Sequence, residues 1–297
     1  MKHIYVSPHA DDVALSCGGQ ILANPDHRSD SLVLTVFTSE EDDSGQAAVD
    51  QARFVDALHA DRDREDEAAW SSIGVAWRAL RLPEALLRGS FPFSIRRSPR
   101  DRQAMEELGD IIAAYMRAHP DAQFYFPAGI GRHVDHLLCR DVAIDLLRNR
   151  ASASIAFYED APYWWLRFLR IAQYDEMGLG SAPSDPAIGL PTYGVSLLQY
   201  LLRKDVPFPR GRKLFLAVYT GLLARAGRDP RADLKKFNPK IATTTFGADI
   251  LTRKRDLVYR YSSQLPMLFG EAPDALLARY RDCFATETTI ELARLPE

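Results

Sequence analysis

The stretch HIYVSPHADDVALSCGGQILA, residues 3–23, decides how this chain is read. Its first five residues are short, β-branched and aromatic, and Pro8 stops them, which is the pattern of a buried strand. VALSCGGQILA, 13–23, then reads as a helix whose first turn lies near Asp11 and Asp12. Between strand and helix stand one histidine, His9, and two adjacent acids. Neighbouring carboxylates repel, and in a partly dry pocket that repulsion is costly. The turn therefore needs open solvent or a cation.

SLVLTVFTS (31–39) is a second buried strand, followed by an acidic loop, EEDDSGQ (40–46). Residues 47–73 carry apolar residues at helical spacing and stop at Gly74. AWRALRLP (76–83) is a weaker strand, and 101–118 is an amphipathic helix with Met105, Leu108, Ile111, Ile112 and Tyr115 on one face. AQFYFPAG (122–129) is a strand, HLLCRDVAIDLLRNR (136–150) a helix, and SIAFYED (154–160) another strand. This alternation predicts an α/β fold: a Rossmann-like, mostly parallel sheet with helices on both faces. The expected organisation is a catalytic core over 1–165 and a mainly helical extension over 166–297, packed on the core as a cap within one compact domain. Helices are expected there at 194–204, 212–225, 249–263 and 273–282.

Composition narrows the function classes. A formal net charge of -3 provides no global basic field for nucleic acid. No apolar run reaches spanning length, so no membrane insertion is expected. Cys17, Cys139 and Cys283 are too few and too scattered for a disulfide framework, and the amino terminus does not read as a signal peptide. The expected location is the cytoplasm; assembly into a homo-oligomer is left open.

In an open parallel sheet, ligands bind at the carboxyl ends of the strands. His9, Asp11 and Asp12 follow the first strand, and GRHVDHLLC (131–139) follows the strand at 122–126, so both clusters fall on one sheet edge. Zinc takes imidazole nitrogen and carboxylate oxygen, and catalytic sites keep an open position for water. Two histidines and one carboxylate from these clusters would complete such a site, and a surplus acid could take a proton from the activated water. Helix capping also accounts for acids in a first turn. It does not account for a histidine beside the acids at two topologically matched strand ends.

PHADD (8–12) together with HVDH (133–136) resembles the PIG-L/LmbE-like family of zinc-dependent N-acetylglucosaminyl deacetylases. Fainter similarities lie in TVFTSE, RDREDEAAWSSIG (62–74), FYEDAPYW (157–164) and YRYSSQL (259–265). The resemblance implies that His9, Asp12 and His136 hold Zn2+, with another divalent transition metal open, and that Asp11 is the general base. It gives His133 the tetrahedral oxyanion or the leaving amine, and Asp135 the orientation and charging of His133. Departures are Ala10 in place of proline, Val13 where many members have glutamate, Glu84 where aspartate is frequent, and no tyrosine just before the second motif.

The implied activity is hydrolysis of an N-acyl, in the first instance N-acetyl, group on a small-molecule amino sugar or glycoconjugate. The alternatives are a zinc amidase on a non-sugar amide, such as a thiol conjugate or natural-product acyl group, and a non-catalytic nucleotide-binding module. The last needs a glycine-rich first turn, where this chain has acids that repel phosphate. Arg62 and Asp160 are candidate substrate contacts; a salt-bridged helix face and a turn cap are the plainer accounts of them. Cys17 and Cys139, each just past a motif, fit small buried hydrophobes better than zinc ligands.

Overall fold

β1 (His3–Ser7), β2 (Ser31–Ser39), β3 (Ala76–Pro83), β4 (Gln123–Pro127) and β5 (Ser154–Tyr158) form the parallel part of a seven-stranded sheet. In the computed structural model, which describes residues 1–39, 62–94, 96–149, 154–161, 163, 167–180, 229–265 and 284–292, the strand order is β3-β2-β1-β4-β5-β7-β6. β6 (Lys240–Thr245) and β7 (Thr286–Glu291) join antiparallel beyond β5. The helices are α1 (Asp12–Ala23), α2 (Pro25–Ser29), α3 (residues 62–71), α4 (Pro99–Ala118), α5 (Val134–Asn149), α6 (Arg167–Glu176) and α7 (Ala248–Val258).

The strand alternation sorts side chains to two cores. Ile4 and Val6 of β1 point to one face, where they pack with Leu108 and Ile112 of α4 and Leu138 and Val142 of α5. Tyr5 points to the other, with Ile21 of α1, Trp70 of α3 and Leu257 of α7. Both faces of the central strands are therefore dry, which is why β1 and β2 read as unbroken apolar runs. Cys17 and Cys139 are buried among these packed side chains. α4 begins two residues earlier than its apolar face suggested. Ser98 and Asp101 form a reciprocal capping box, and Pro99 occupies the first turn, where its missing N–H costs nothing.

The carboxyl-terminal region, expected to be mainly helical, also contributes two strands. KIATTT and TETTIE are strands of the main sheet. Threonine fits a pleated surface through its branched Cβ but supplies no apolar alternation. β6 is the sheet edge and mostly exposed, so nothing in its hydropathy marks it. Glu287 of β7 closes the sheet against α1. Its carboxylate accepts from Gly19 N (2.6 Å) and Gln20 N (2.8 Å) and pairs with buried Lys254 of α7 (2.7 Å). A Cβ at Gly19 would lie 2.6 Å from the Phe246 ring, so this approach requires glycine.

Asp66 is a second buried tie. It accepts from Thr35 of β2, Trp70 of α3, Trp77 of β3 and Tyr261, and so pins α3 to the sheet. The expected loop at 40–46, the start of the helix at 47–73, the expected helices at 194–204, 212–225 and 273–282, and Cys283 lie outside the described residues. No helix among the described residues is long and apolar enough to cross a membrane.

Candidate metal and catalytic centre

The turn after β1 is built so that its acids are spared from structural work. Asp11 is the N-cap residue of α1, yet its side chain makes no capping bond. The Ser7 hydroxyl does that task, accepting from Val13 N at 3.2 Å. Asp12 instead turns back, its Oδ2 accepting from His9 N at 2.8 Å. Capping thus does not explain the acid pair.

The second motif arrives through a loop held in left-handed conformations. Gly129, Gly131 and Arg132 have φ of 81°, 91° and 61°. Such values are costly for arginine. The Arg132 guanidinium is paired with Glu176 of α6, and Glu176 also accepts from fully buried Arg140 of α5 at 3.1 Å. A Cβ at Gly131 would fall 2.4 Å from Tyr163 Cγ, so that ring lies directly on the loop backbone. This packing delivers His133 and His136 to the edge where His9 waits.

Ring nitrogens of His9, His133 and His136 lie within 4.8 Å of one another. Asp12 Oδ2 is 3.3 Å from His9 Nδ1 and 3.3 Å from His136 Nε2. Donors bound to zinc at about 2.0–2.1 Å in a tetrahedron stand about 3.3 Å apart. Asp12 Oδ2 therefore stands from each imidazole at the separation of two donors on one ion, and these donor types suit zinc.

Each of these imidazoles has its far nitrogen on a second carboxylate. His136 Nδ1 is 2.6 Å from Asp160 Oδ1, and His9 Nε2 is 3.1 Å from Asp135 Oδ2. Such carboxylate–histidine pairs orient metal ligands and raise their basicity. Both side chains are wholly buried.

This placement differs from the roles expected for two residues. Asp160 has one oxygen on His136 and the other accepting from Ile130 N at 2.9 Å, so both of its oxygens are engaged by the protein behind a candidate ligand. Asp135 is nearer His9 than His133: its Oδ2 is 3.8 Å from His133 Nδ1. The His133 Nδ1 accepts from the Asp135 backbone N–H at 3.3 Å. That bond leaves Nδ1 unprotonated and the hydrogen on Nε2.

The remaining Asp135 contacts explain its burial. Arg88 Nη2 donates to Oδ1 at 2.5 Å, and Ala85 N donates to Oδ2 at 3.2 Å. Arg88 also bonds Asp101 of α4 at 2.9 Å and lies over the Phe37 ring. Sequence reading passed over Arg88; it sits in a loop with no motif, and only the fold brings it to Asp135.

Electrostatics separate the two adjacent acids. Burial, then the Asp12 charge, push the Asp11 carboxyl up to about 6, with Arg62 and His9 pulling the other way. Burial opposes ionisation of Asp12 as well, but His136 and His9 overcome it and hold that carboxyl far below the usual range. Burial lowers His133 to about 3, so it is neutral near pH 7. His136 rises to about 9 against its burial because Asp12 and Asp160 face it. Arg62 of α3 pairs with Glu84 at 2.5 Å, and among the described residues its buried Nε has no hydrogen-bond partner.

Replacing Asp160 by asparagine should weaken zinc binding by about 10–100-fold. Competition with a chromogenic chelator reads this directly; unchanged affinity would remove Asp160 from the ligand support.

The sheet and this cluster define a Rossmann-like α/β protein with a histidine–aspartate centre at its strand ends. The model of the PIG-L family, described as GlcNAc-PI de-N-acetylase, matches residues 4–147. That match to the PIG-L family takes in just under half of the chain, including both histidine–aspartate motifs. The chain is 35% identical over 169 residues to a 2'-N-acetylparomamine deacetylase of Streptomyces fradiae, a match covering 54% of this chain and 57% of that protein. The chain thus spans a little over half the length of that relative. A 2'-N-acetylparomamine deacetylase of Niallia circulans is 29% identical over 187 residues, covering 54% and 67%. Among solved structures, a deacetylase from the teicoplanin biosynthesis pathway superposes with a TM-score of 0.62 at 20% identity over 100% of both chains. The zinc-inhibited form of a teicoplanin deacetylase gives 0.61 at 19%, again over 100% of both. At these identities the superpositions establish the fold.

Proposed function

We propose that this protein is a zinc-dependent N-deacetylase acting on an N-acetylated amino sugar within a larger glycoside. The observation that carries this reading is Asp12 Oδ2 standing 3.3 Å from both His9 Nδ1 and His136 Nε2, with an unused acid, Asp11, alongside. His9, Asp12 and His136 would hold the metal. Zinc bound there would supply a Lewis acid for the amide carbonyl and a water of lowered pKa.

The chain's own residues supply the proton transfers. Asp11 takes a proton from the attacking water. Its raised pKa lets it keep that proton briefly and return it to the departing nitrogen, so one carboxyl serves as base and then acid. His133, neutral with its hydrogen on Nε2, donates to the oxygen that becomes negative. Of the two roles the family resemblance allowed it, the tautomer favours the oxyanion. Asp135 and Asp160 hold His9 and His136 in place. Arg62, whose charge acts on Asp11, and its partner Glu84 are suited to sugar hydroxyls. They favour an amino sugar over a non-sugar amide. Water adds to the carbonyl carbon, the C–N bond breaks, and acetate and a free amine leave.

The test is to count zinc in the purified protein and follow acetate release from 2'-N-acetylparomamine and N-acetylglucosaminides, with and without a chelator. Activity should vanish on metal removal and return with added zinc. Full turnover by metal-free protein would overturn the reading.

A further inference from the structure

The loop from Glu84 to Ser94 does more than hold Asp135. Among the described residues, three large hydrophobic side chains are exposed, Met1, Leu86 and Phe91, and two of them belong to this loop. Leu86 is 44% exposed and Phe91 56%. Exposed apolar side chains are ordinary singly; two on one short loop beside a polar centre call for an explanation.

Phe91 is the outer member of a row of rings. Its centroid is 6.0 Å from Phe93, and Phe93 is 5.6 Å from His133, both in edge-on arrangements. His133 in turn lies 4.9 Å from the His9 ring. A continuous aromatic path thus runs from solvent to the catalytic cluster. The loop that carries it is anchored firmly. Ala85 N and Arg88 bond Asp135, and the Pro92 carbonyl accepts from Val134 N at 2.6 Å, next to His133. The rings are presented on a fixed backbone, which spares the entropy of ordering a loop on binding.

We infer that the Phe91–Phe93 row is a subsite for the aglycone of the substrate, receiving an apolar face such as an aromatic ring or the C–H face of a further ring. The inference rests on the deacetylase reading. An acetyl group is too short to pass His133 and reach two rings out. A group that meets the exposed Phe91, outward of Phe93 and His133, is the part of the substrate farthest from the scissile bond. The opposite end of the same loop, Glu84 with Arg62, is polar and suited to the hydroxyls of the amino sugar. The loop therefore offers hydrogen bonds at one end and apolar surface at the other, as a glycoside with an apolar aglycone face requires. Flat apolar groups gain from aromatic rings both by area and by edge or face contact.

The test compares methyl and phenyl 2-acetamido-2-deoxyglucosides with the zinc-loaded protein. The phenyl glycoside should be preferred about tenfold in kcat/KM, with the difference in KM, and Phe91→Ala should bring that ratio close to unity. Phe91 is a surface residue, so this variant should fold. Equal KM for the two glycosides in the wild type, with acetate still released, would overturn the subsite and leave the deacetylase reading intact. A preference that instead follows a methyl glycoside carrying N-hexanoyl in place of N-acetyl would assign the rings to the acyl chain and also overturn it. Calorimetric titration with phenyl and methyl 2-amino-2-deoxyglucosides gives a readout without turnover. Tighter binding of the phenyl compound, lost in Phe91→Ala, supports the subsite even if no acetate is released, a result that would count against the deacetylase reading alone. Sedimentation is the last arm: self-association abolished by Phe91→Ala, with no change in preference, would give the patch to a second copy of the chain.

Discussion

Asp11→Asn is expected to lower kcat by about 10²–10⁴-fold while the protein still binds zinc. Asparagine has nearly the shape of aspartate but cannot take a proton from water. The Asp11 side chain makes no capping bond, so the helix loses no hydrogen bond in the exchange. Removing one of two adjacent buried acids also relieves repulsion on Asp12, so zinc should be held no less tightly. Asp12→Asn would behave differently, because Asp12 Oδ2 faces both His9 and His136; metal and activity should fall together. Acetate release with parallel measurement of bound zinc separates the two. If Asp11→Asn kept wild-type kcat with full zinc occupancy, the base would have to be another group.

The largest expected effect on stability is at Arg88. Its side chain is 2% exposed and bonds two wholly buried carboxylates, Asp101 and Asp135. Arg88→Met keeps most of the apolar stem but strands both acids. Breaking a buried pair by removing one partner costs about 3–5 kcal/mol. Urea denaturation should show the midpoint moving by that amount, with the slope unchanged. Adding Asp101→Asn to Arg88→Met should recover part of the loss, since one stranded charge is then gone. A midpoint shift within about 0.5 kcal/mol, the range of ordinary surface changes, would show that neither acid depends on Arg88.

What the sequence made legible follows from local signals. The central parallel strands were visible because both their faces are dry, so their apolar runs are unbroken, whereas β3, at the edge of the sheet and interrupted by Arg78 and Arg81, is the weaker pattern. PHADD and HVDH could be joined because each directly follows a strand in a sheet whose active edge is known from topology. The partners behind them could not be read. Asp160 looked like a substrate contact because its position at a strand end was correct, and only the direction of its side chain, toward His136 Nδ1, distinguishes support from contact. Asp135 lay beside His133 in sequence, yet the first turn of α5 turns its carboxylate to His9. Arg88 belongs to a loop without periodicity, and its partners are 13 and 47 residues away. β6 and β7 escaped because threonine carries strand geometry without hydropathy.

Glu287 is separated from Gly19 by 268 residues, yet its carboxylate grips the middle of the helix that starts at Asp12. During synthesis, the amino-terminal motif must therefore wait for a strand made much later before its helix is clamped. Contacts of such long sequence separation slow folding. The nascent amino-terminal portion would emerge with β5 lacking its β7 partner, an open edge inviting wrong pairing until the last strand docks.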